Sequence, residues 1–204
     1  MAAPAERTAH ASPARPWARN LRATSMAQAR TGVILAPPGF TRGRTDTGGF
    51  AMPELIKEFE YHVNISGTDD VGMGPSGRRI VVAGVGGEVA GDRVKGTIVG
   101  AGGDWLRIGE DGFARLDARN TVQTVDGARI YIETCGILEL TSAIMEILGG
   151  GDAPTQFGEQ YFVTTPRMET GDDRYAWVNQ TVFVGEGRLV PGPRVEFRLF
   201  RVAG

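Results

Sequence analysis

From position 55 onward, apolar and polar residues alternate with a period of two. Phe59, Tyr61, Val63 and Ile65 are interleaved with Glu58, Glu60, His62 and Asn64, the pattern of a strand that buries one face. A turn cluster at 66–70 ends that run, and Gly72, Gly74, Pro75 and Gly77 break up the next stretch. Strands are then predicted over 79–85 and 93–100, with 106–108 resuming after an irregular segment. Residues 113–124 and 128–140 read as a hairpin joined through Asp126-Gly127, a strong short-range hairpin signal. The one helical stretch is 141–148, with Thr141 or Ser142 as N-cap and Gly149-Gly150-Gly151 as its stop. Strands over 160–165, 177–184 and 194–202 complete the pattern.

About eight short strands and one small helix in roughly 150 residues predict an all-β domain, either sandwich or barrel. Glycine favours the barrel. It supplies 30 of 204 residues, about twice the usual share. Gly84, Gly86, Gly87, Gly100, Gly102 and Gly103 fall within or beside strands, where glycine serves bulges and tight bends. The expected fold is a single closed antiparallel β-barrel with one short helix, whose interior can hold side chains or one small ligand. Residues 1–51 show neither period and carry seven arginines and two acids. They are expected to be a disordered or artefactual leader, with Met26 and Met52 as alternative starts, since so little apolar surface cannot offset ordering entropy. The barrel domain is expected over 52–204.

Composition narrows the function. A net charge of −2 argues against nucleic acid as a partner. The run Val33-Ile34-Leu35 is too short for a signal peptide or a membrane span. Cys135 is the single cysteine, which excludes an internal disulfide framework, and only His10 and His62 offer imidazoles, so no metal site is expected. With no export signal in view, the expected compartment is the cytoplasm.

The hairpin carries the first candidate chemistry. Arg115, Asp117, Arg119, Thr121 and Gln123 share one face, and Leu116, Ala118 and Val122 share the other, interrupted by Asn120. Either the polar face lines the barrel interior, with Arg119 paired to Asp117 as an anion- or carbonyl-binding group, or it is solvated and the two form a surface pair. On the partner strand Tyr131, Glu133 and Cys135 share a face. A buried Glu133 would have a raised pKa suited to acid–base work, whereas an exposed one would make a cross-strand ion pair. Cys135 has no histidine nearby in sequence and reads as a small buried hydrophobe. The bend 100–105 presents Asp104 and Trp105 together, either as a ligand wall with a polar partner or as a β-bulge with Trp105 in the core. Tyr161, Glu169, Trp177 and Asn179 belong to an aromatic and polar cluster bounded by Pro166 and Gly171, in the manner of loops at a barrel mouth.

Taken in order, Gly77-Arg78-Arg79, Gly86-Gly87-Glu88-Val89-Ala90-Gly91, Gly102-Gly103-Asp104-Trp105, Leu116-Asp117-Ala118-Arg119, Asp126-Gly127-Ala128, Tyr161-Phe162, Pro166-Arg167-Met168-Glu169-Thr170-Gly171 and Tyr175-Ala176-Trp177-Val178-Asn179 closely resemble domain of unknown function 3237, the UPF0311 proteins. The resemblance spans roughly 55–202. It implies a calycin-like or lipocalin-like closed barrel with a central cavity, and it suggests that Asp104, Arg119, Glu133, Tyr161, Trp177 and Asn179 face that cavity. It transfers no catalytic residues. Met168 departs from the aromatic residue often found before Glu169-Thr170.

Three functions are compatible with these residues. The first is a cofactor-free enzyme acting on a small cyclic or aromatic metabolite by isomerisation, cyclisation or elimination. There Asp104 or Glu133 would move a proton, and Arg119 with Asn179 would stabilise an oxyanion. Trp105, Asp117, Tyr131, Tyr161, Glu169 and Trp177 would complete the binding site. The second is a carrier or sensor using the same cavity without chemistry. The third is an interaction protein whose barrel is filled by side chains. The last strand, with Glu196, Arg198 and Phe200, could also support a homo-oligomer.

Overall fold

The computed structural model describes residues 52–203; the expected leader lies outside them. Nine antiparallel strands form one sheet: β1 (Glu54–Gly74), β2 (Gly77–Gly84), β3 (Glu88–Gly91), β4 (Lys95–Ile108), β5 (Phe113–Thr124), β6 (Arg129–Glu139), β7 (Phe162–Glu169), β8 (Phe183–Val190) and β9 (Arg194–Ala203). One α-helix, α1 (Ser142–Leu148), follows β6, and a 3-10 helix over Asp173–Gln180 precedes β8. Each strand pairs with its successor from β4 to β9, and β9 pairs with β1 from Glu54↔Ala203 to Asn64↔Arg194. No described helix is long and apolar enough to cross a membrane.

Two long strands hold this barrel-like sheet together by changing partners along their length. The first part of β1 pairs with β3 and β9, and its last part pairs with β2. β4 likewise pairs first with β3 and then with β2. Each switch occurs at an irregularity. β1 shifts register between Ile65 and Gly67 and again between Asp70 and Gly72, so the turn cluster expected to end the strand only kinks it. β4 shifts between Val99 and Gly103, where Gly100 adopts φ +73°, a conformation costly for any residue with a Cβ.

The inward residues form a continuous apolar core that includes Phe59, Val94, Ile98, Val122, Ile130, Ile132, Phe183 and Leu199. Burying side chains of this kind contributes roughly 1.5–3 kcal/mol each before entropy is counted. The hairpin β5–β6 closes as expected: Gly127 takes φ +90°, and Thr124 receives its main-chain hydrogen bond at 3.0 Å. Helix α1 also matches, with Thr141 Oγ1 accepting from the Ile144 N–H at 3.3 Å and Gly149 at the C-cap.

The strand expected over 177–184 is not formed as such. Asp172 caps Asp173–Gln180 by accepting from the Arg174 N–H at 3.0 Å, and the chain turns helical there. A side-chain cap outweighs the β-propensity of Trp177 and Val178, and the strand begins later, at Phe183. β7 runs through Pro166. Only Val163↔Glu186 and Thr164↔Gly185 join β7 to β8, so the proline stands beyond the pairing on that edge.

Candidate functional site

Alternation along the strands decides which side chains enter the interior. On β5 the inward set is Ala114, Leu116, Ala118, Asn120 and Val122; on β6 it is Ile130, Ile132, Thr134 and Leu138. These faces, with β1, β2, β4 and β9, enclose a cavity of about 700 Å³, within the range of small-molecule sites. Its walls are chiefly apolar, including Ile80, Leu106, Leu116 and Leu138. α1 adds Met145, Ile147 and Leu148 to the lining, together with Pro191 and Pro193 from the β8–β9 turn.

Tyr61, Asp104, Asn120 and Thr134 interrupt that apolar lining. Asp104 Oδ1 accepts the Asp117 main-chain N–H at 2.8 Å. Burial pushes the Asp104 carboxyl up to about 6; the Asp117 N–H works against that rise, the Asp117 carboxylate adds to it, and Arg119 and Arg79 oppose it. Tyr61 stacks on Phe197, with ring centroids 5.0 Å apart. Burial pushes its phenol well above the ordinary tyrosine value; the Thr134 hydroxyl pulls the other way and the charge of Asp104 adds to the rise, so the hydroxyl stays protonated. Asn120 is only 7% exposed, yet its Oδ1 finds no hydrogen-bond partner among the described residues, while Thr134, 1% exposed, turns its hydroxyl toward the Tyr61 phenol. Unsatisfied buried polar atoms are rare enough to mark a place where water or a ligand belongs. Gly102 makes room for Asn120: a Cβ there would stand 2.6 Å from Asn120 Oδ1.

Of the residues singled out from sequence, Asp104 alone lines this cavity. Trp105, its neighbour, is 41% exposed because adjacent strand residues point to opposite faces. Asp117, Arg119 and Glu133 stand on the outer face. Arg119 bridges Asp117 at 2.7 Å and Glu133 at 3.7 Å there, and its guanidinium lies 5.3 Å from the Trp105 ring. Of the two arrangements open to the hairpin, the solvated surface pair is the one formed, and the cavity-facing roles expected for Asp117, Arg119 and Glu133 are not. Leaving the apolar face outside would have wasted its burial, and hydrated ion pairs avoid desolvation. Tyr131 is on the same outer side, paired in register with Thr121 and Glu169. Cys135 is exposed there too, not buried.

The remaining candidates lie elsewhere. Tyr161 is 54% exposed. Trp177 packs on Phe183 and carries the Arg93 guanidinium 3.6 Å above its ring. Asn179 secures the loop after β7, accepting from the Thr170 N–H at 2.8 Å and donating to the Thr170 carbonyl at 3.0 Å. Glu133, Glu169 and Asn179 do share an open depression outside, where β7 parts from β8. Tyr61, Asn120 and Thr134 were not singled out, although a polar residue breaking an apolar alternation, as Asn120 does between Ala118 and Val122, was a legible signal. Among the described residues no group of acids, histidines and cysteine is clustered to hold a metal ion.

The sequence profile of the DUF3237 family, proteins of unknown function, matches residues 53–202. The chain belongs to this family. A UPF0311 protein of Bradyrhizobium diazoefficiens is 33% identical over 135 residues, covering 65% of this chain and 87% of that protein. Among solved structures, a conserved protein of unknown function from Rhodopseudomonas palustris superposes with a TM-score of 0.66 at 29% identity, over 76% of this chain and 100% of that one. A β-barrel-like protein from Acinetobacter baumannii gives 0.64 at 25% identity, over 76% of this chain and 99% of that one. The chain's sheet is thus similar to that of a β-barrel-like protein, and the family profile spans every strand that lines the cavity.

Proposed function

We propose that this DUF3237 protein is a closed barrel of the calycin kind that binds a small cyclic or aromatic metabolite, and that Asp104 moves a proton on it. The observation carrying this reading is the placement of the Asp104 carboxylate, held by the Asp117 N–H, in a chiefly apolar cavity where burial raises it to about 6. Near neutral pH such a group is mostly ionised and can take a proton, then return it with little driving-force penalty. The protonated Tyr61 phenol and the Asn120 amide supply hydrogen bonds to an oxygen on which charge develops. Isomerisation, cyclisation or elimination beside a carbonyl all fit these parts, and proton transfer of this kind calls for no cofactor. Arg119, Glu133 and Asn179 carry no role in this reading, since they stand outside the cavity.

The apolar walls favour a second reading, a carrier or sensor that holds the ligand without changing it. The two separate in one experiment. The protein is purified from its own host, and co-purifying ligand is identified by native mass spectrometry. The ligand is then offered to wild-type protein and Asp104→Asn. Retained binding with turnover reduced about 10²–10⁴-fold supports proton transfer. Binding with no turnover in either protein supports the carrier, and undiminished turnover in the variant overturns the role of Asp104.

A further inference from the structure

The charges inside and outside the cavity are divided unequally. Every arginine named around the site is on the outer face: Arg119 pairs with Asp117, and Arg79 donates to the main-chain carbonyl of Trp105. Among the described residues no lysine, arginine or histidine lines the cavity, whereas two carboxylates do, Asp104 and the exposed Asp152 beside Gly149, Gly150 and Gly151. A ligand acid would therefore approach two negative groups with no cation among the described lining residues to receive it. An ammonium could pair with the Asp104 carboxylate, but carrying a second full charge between the apolar walls costs more desolvation than a neutral hydroxyl or N–H does.

One carboxyl oxygen of Asp104 is occupied by the Asp117 N–H. Its other oxygen makes no hydrogen bond among the described residues and can accept one from a ligand, and so can the Tyr61 hydroxyl. We infer that the cavity selects an uncharged ring compound whose hydroxyl or N–H donates to Asp104, and that it excludes carboxylates and phosphates. This inference rests on the reading of the cavity as a ligand site, and it adds the ligand's charge and polarity. The ring occupies the apolar walls of Ile80, Leu106, Leu116 and Leu138, and the donor reaches the polar end.

Four probes sharing one ring and one substitution position test it: naphthylmethanol, its methyl ether, naphthoate and naphthylmethylammonium. Their dissociation constants for the wild-type chain are measured by calorimetry at about pH 8, where Asp104 is ionised. The alcohol is expected to bind about ten-fold more tightly than the ether and about a hundred-fold more tightly than naphthoate, with the ammonium weaker than the alcohol. Asp104→Asn, which keeps an oxygen for the Asp117 N–H, is expected to narrow the alcohol–naphthoate gap at least about ten-fold. Naphthoate or the ammonium binding as tightly as the alcohol overturns the selectivity while leaving the cavity a ligand site. An ether equal to the alcohol overturns the donor requirement. Failure of all four to bind overturns the ligand-site reading itself. The wild-type comparison decides the matter even if the variant does not fold.

Discussion

The carboxylate of Asp104 reaches across from β4 to accept the main-chain N–H of Asp117 on β5 at 2.8 Å, so the acid inside the cavity is anchored to the strand whose charged side chains face out. The bond fixes one carboxyl oxygen and leaves the other for the cavity. Charges on the far side of the wall act on Asp104 as well, the Asp117 carboxylate raising it and Arg119 lowering it.

A stability signature follows from the raised carboxyl. The native state holds the Asp104 proton up to about 6, while the unfolded chain releases it near the ordinary aspartate value of 3.8. Between those limits the native state binds more protons, so the contribution of Asp104 is favourable below the lower value and is lost as pH rises through the upper one. The difference amounts to about 2–3 kcal/mol at full ionisation. Asp104→Asn, with no charge to bury, is expected to exceed wild type in stability above about pH 7 and to lose that advantage toward about pH 4. Urea unfolding at the two pH values checks it; a variant less stable than wild type at the higher pH contradicts the burial argument.

The outer cluster makes the opposite forecast. Glu133→Gln and Arg119→Met remove members of a half-exposed ion-pair group. Such pairs contribute about 0–1 kcal/mol. Unfolding free energies are expected to fall by no more than that, and Glu133→Gln should leave the affinity for naphthylmethanol within about two-fold of wild type. A ten-fold loss of affinity in that variant would bring Glu133 back into the site.

Packing between β7 and β8 depends on the absence of a side chain at Gly187. A Cβ there would stand 2.6 Å from the Phe162 ring, itself 2% exposed and edge-on to Phe197. Gly187→Ala is expected to destabilise the fold by about 1–3 kcal/mol, as overpacking of a rigid core does. Gly100→Ala tests a different cause. Open space surrounds that Cβ, but φ +73° strains it, for a loss of about 1–2 kcal/mol. Equal stability of either variant with wild type, by urea midpoint, sinks the corresponding argument.

Tyr61→Phe separates packing from polarity at the polar end. The ring keeps its stack on Phe197, so stability should change by no more than about 1 kcal/mol. Affinity for naphthylmethanol should fall about three- to ten-fold with the loss of the hydroxyl. Unchanged affinity would remove Tyr61 from the binding surface.

Period-two alternation made most of the fold legible. It placed β5, β6 and β9 close to their observed bounds, and the Asp126-Gly127 turn fixed their hairpin register. It failed where a local device overrides the pattern. The turn residues 66–70 are absorbed by kinks in a strand that continues to Gly74, and the Asp172 cap turns 173–180 helical. For the site, alternation identified which residues share a face without fixing which face points inward. That choice follows from the burial of Leu116 and Val122, which outweighs any use for a charged interior. Asp104 was recognisable beside its glycines, but its companions come from β1, β5 and β6, and only the barrel-like closure brings Tyr61, Asn120 and Thr134 to one place.

The central claim, a ligand cavity whose reactive end is Asp104, is tested most directly by NMR on the isotope-labelled chain titrated with naphthylmethanol. Saturable shifts are predicted at the Asp104 side-chain carboxyl and at the main-chain amides of Tyr61, Asn120 and Thr134, with Tyr131, Glu133 and Tyr161 unmoved. Shifts confined to those outer residues, or none at Asp104 at saturating probe, would contradict it.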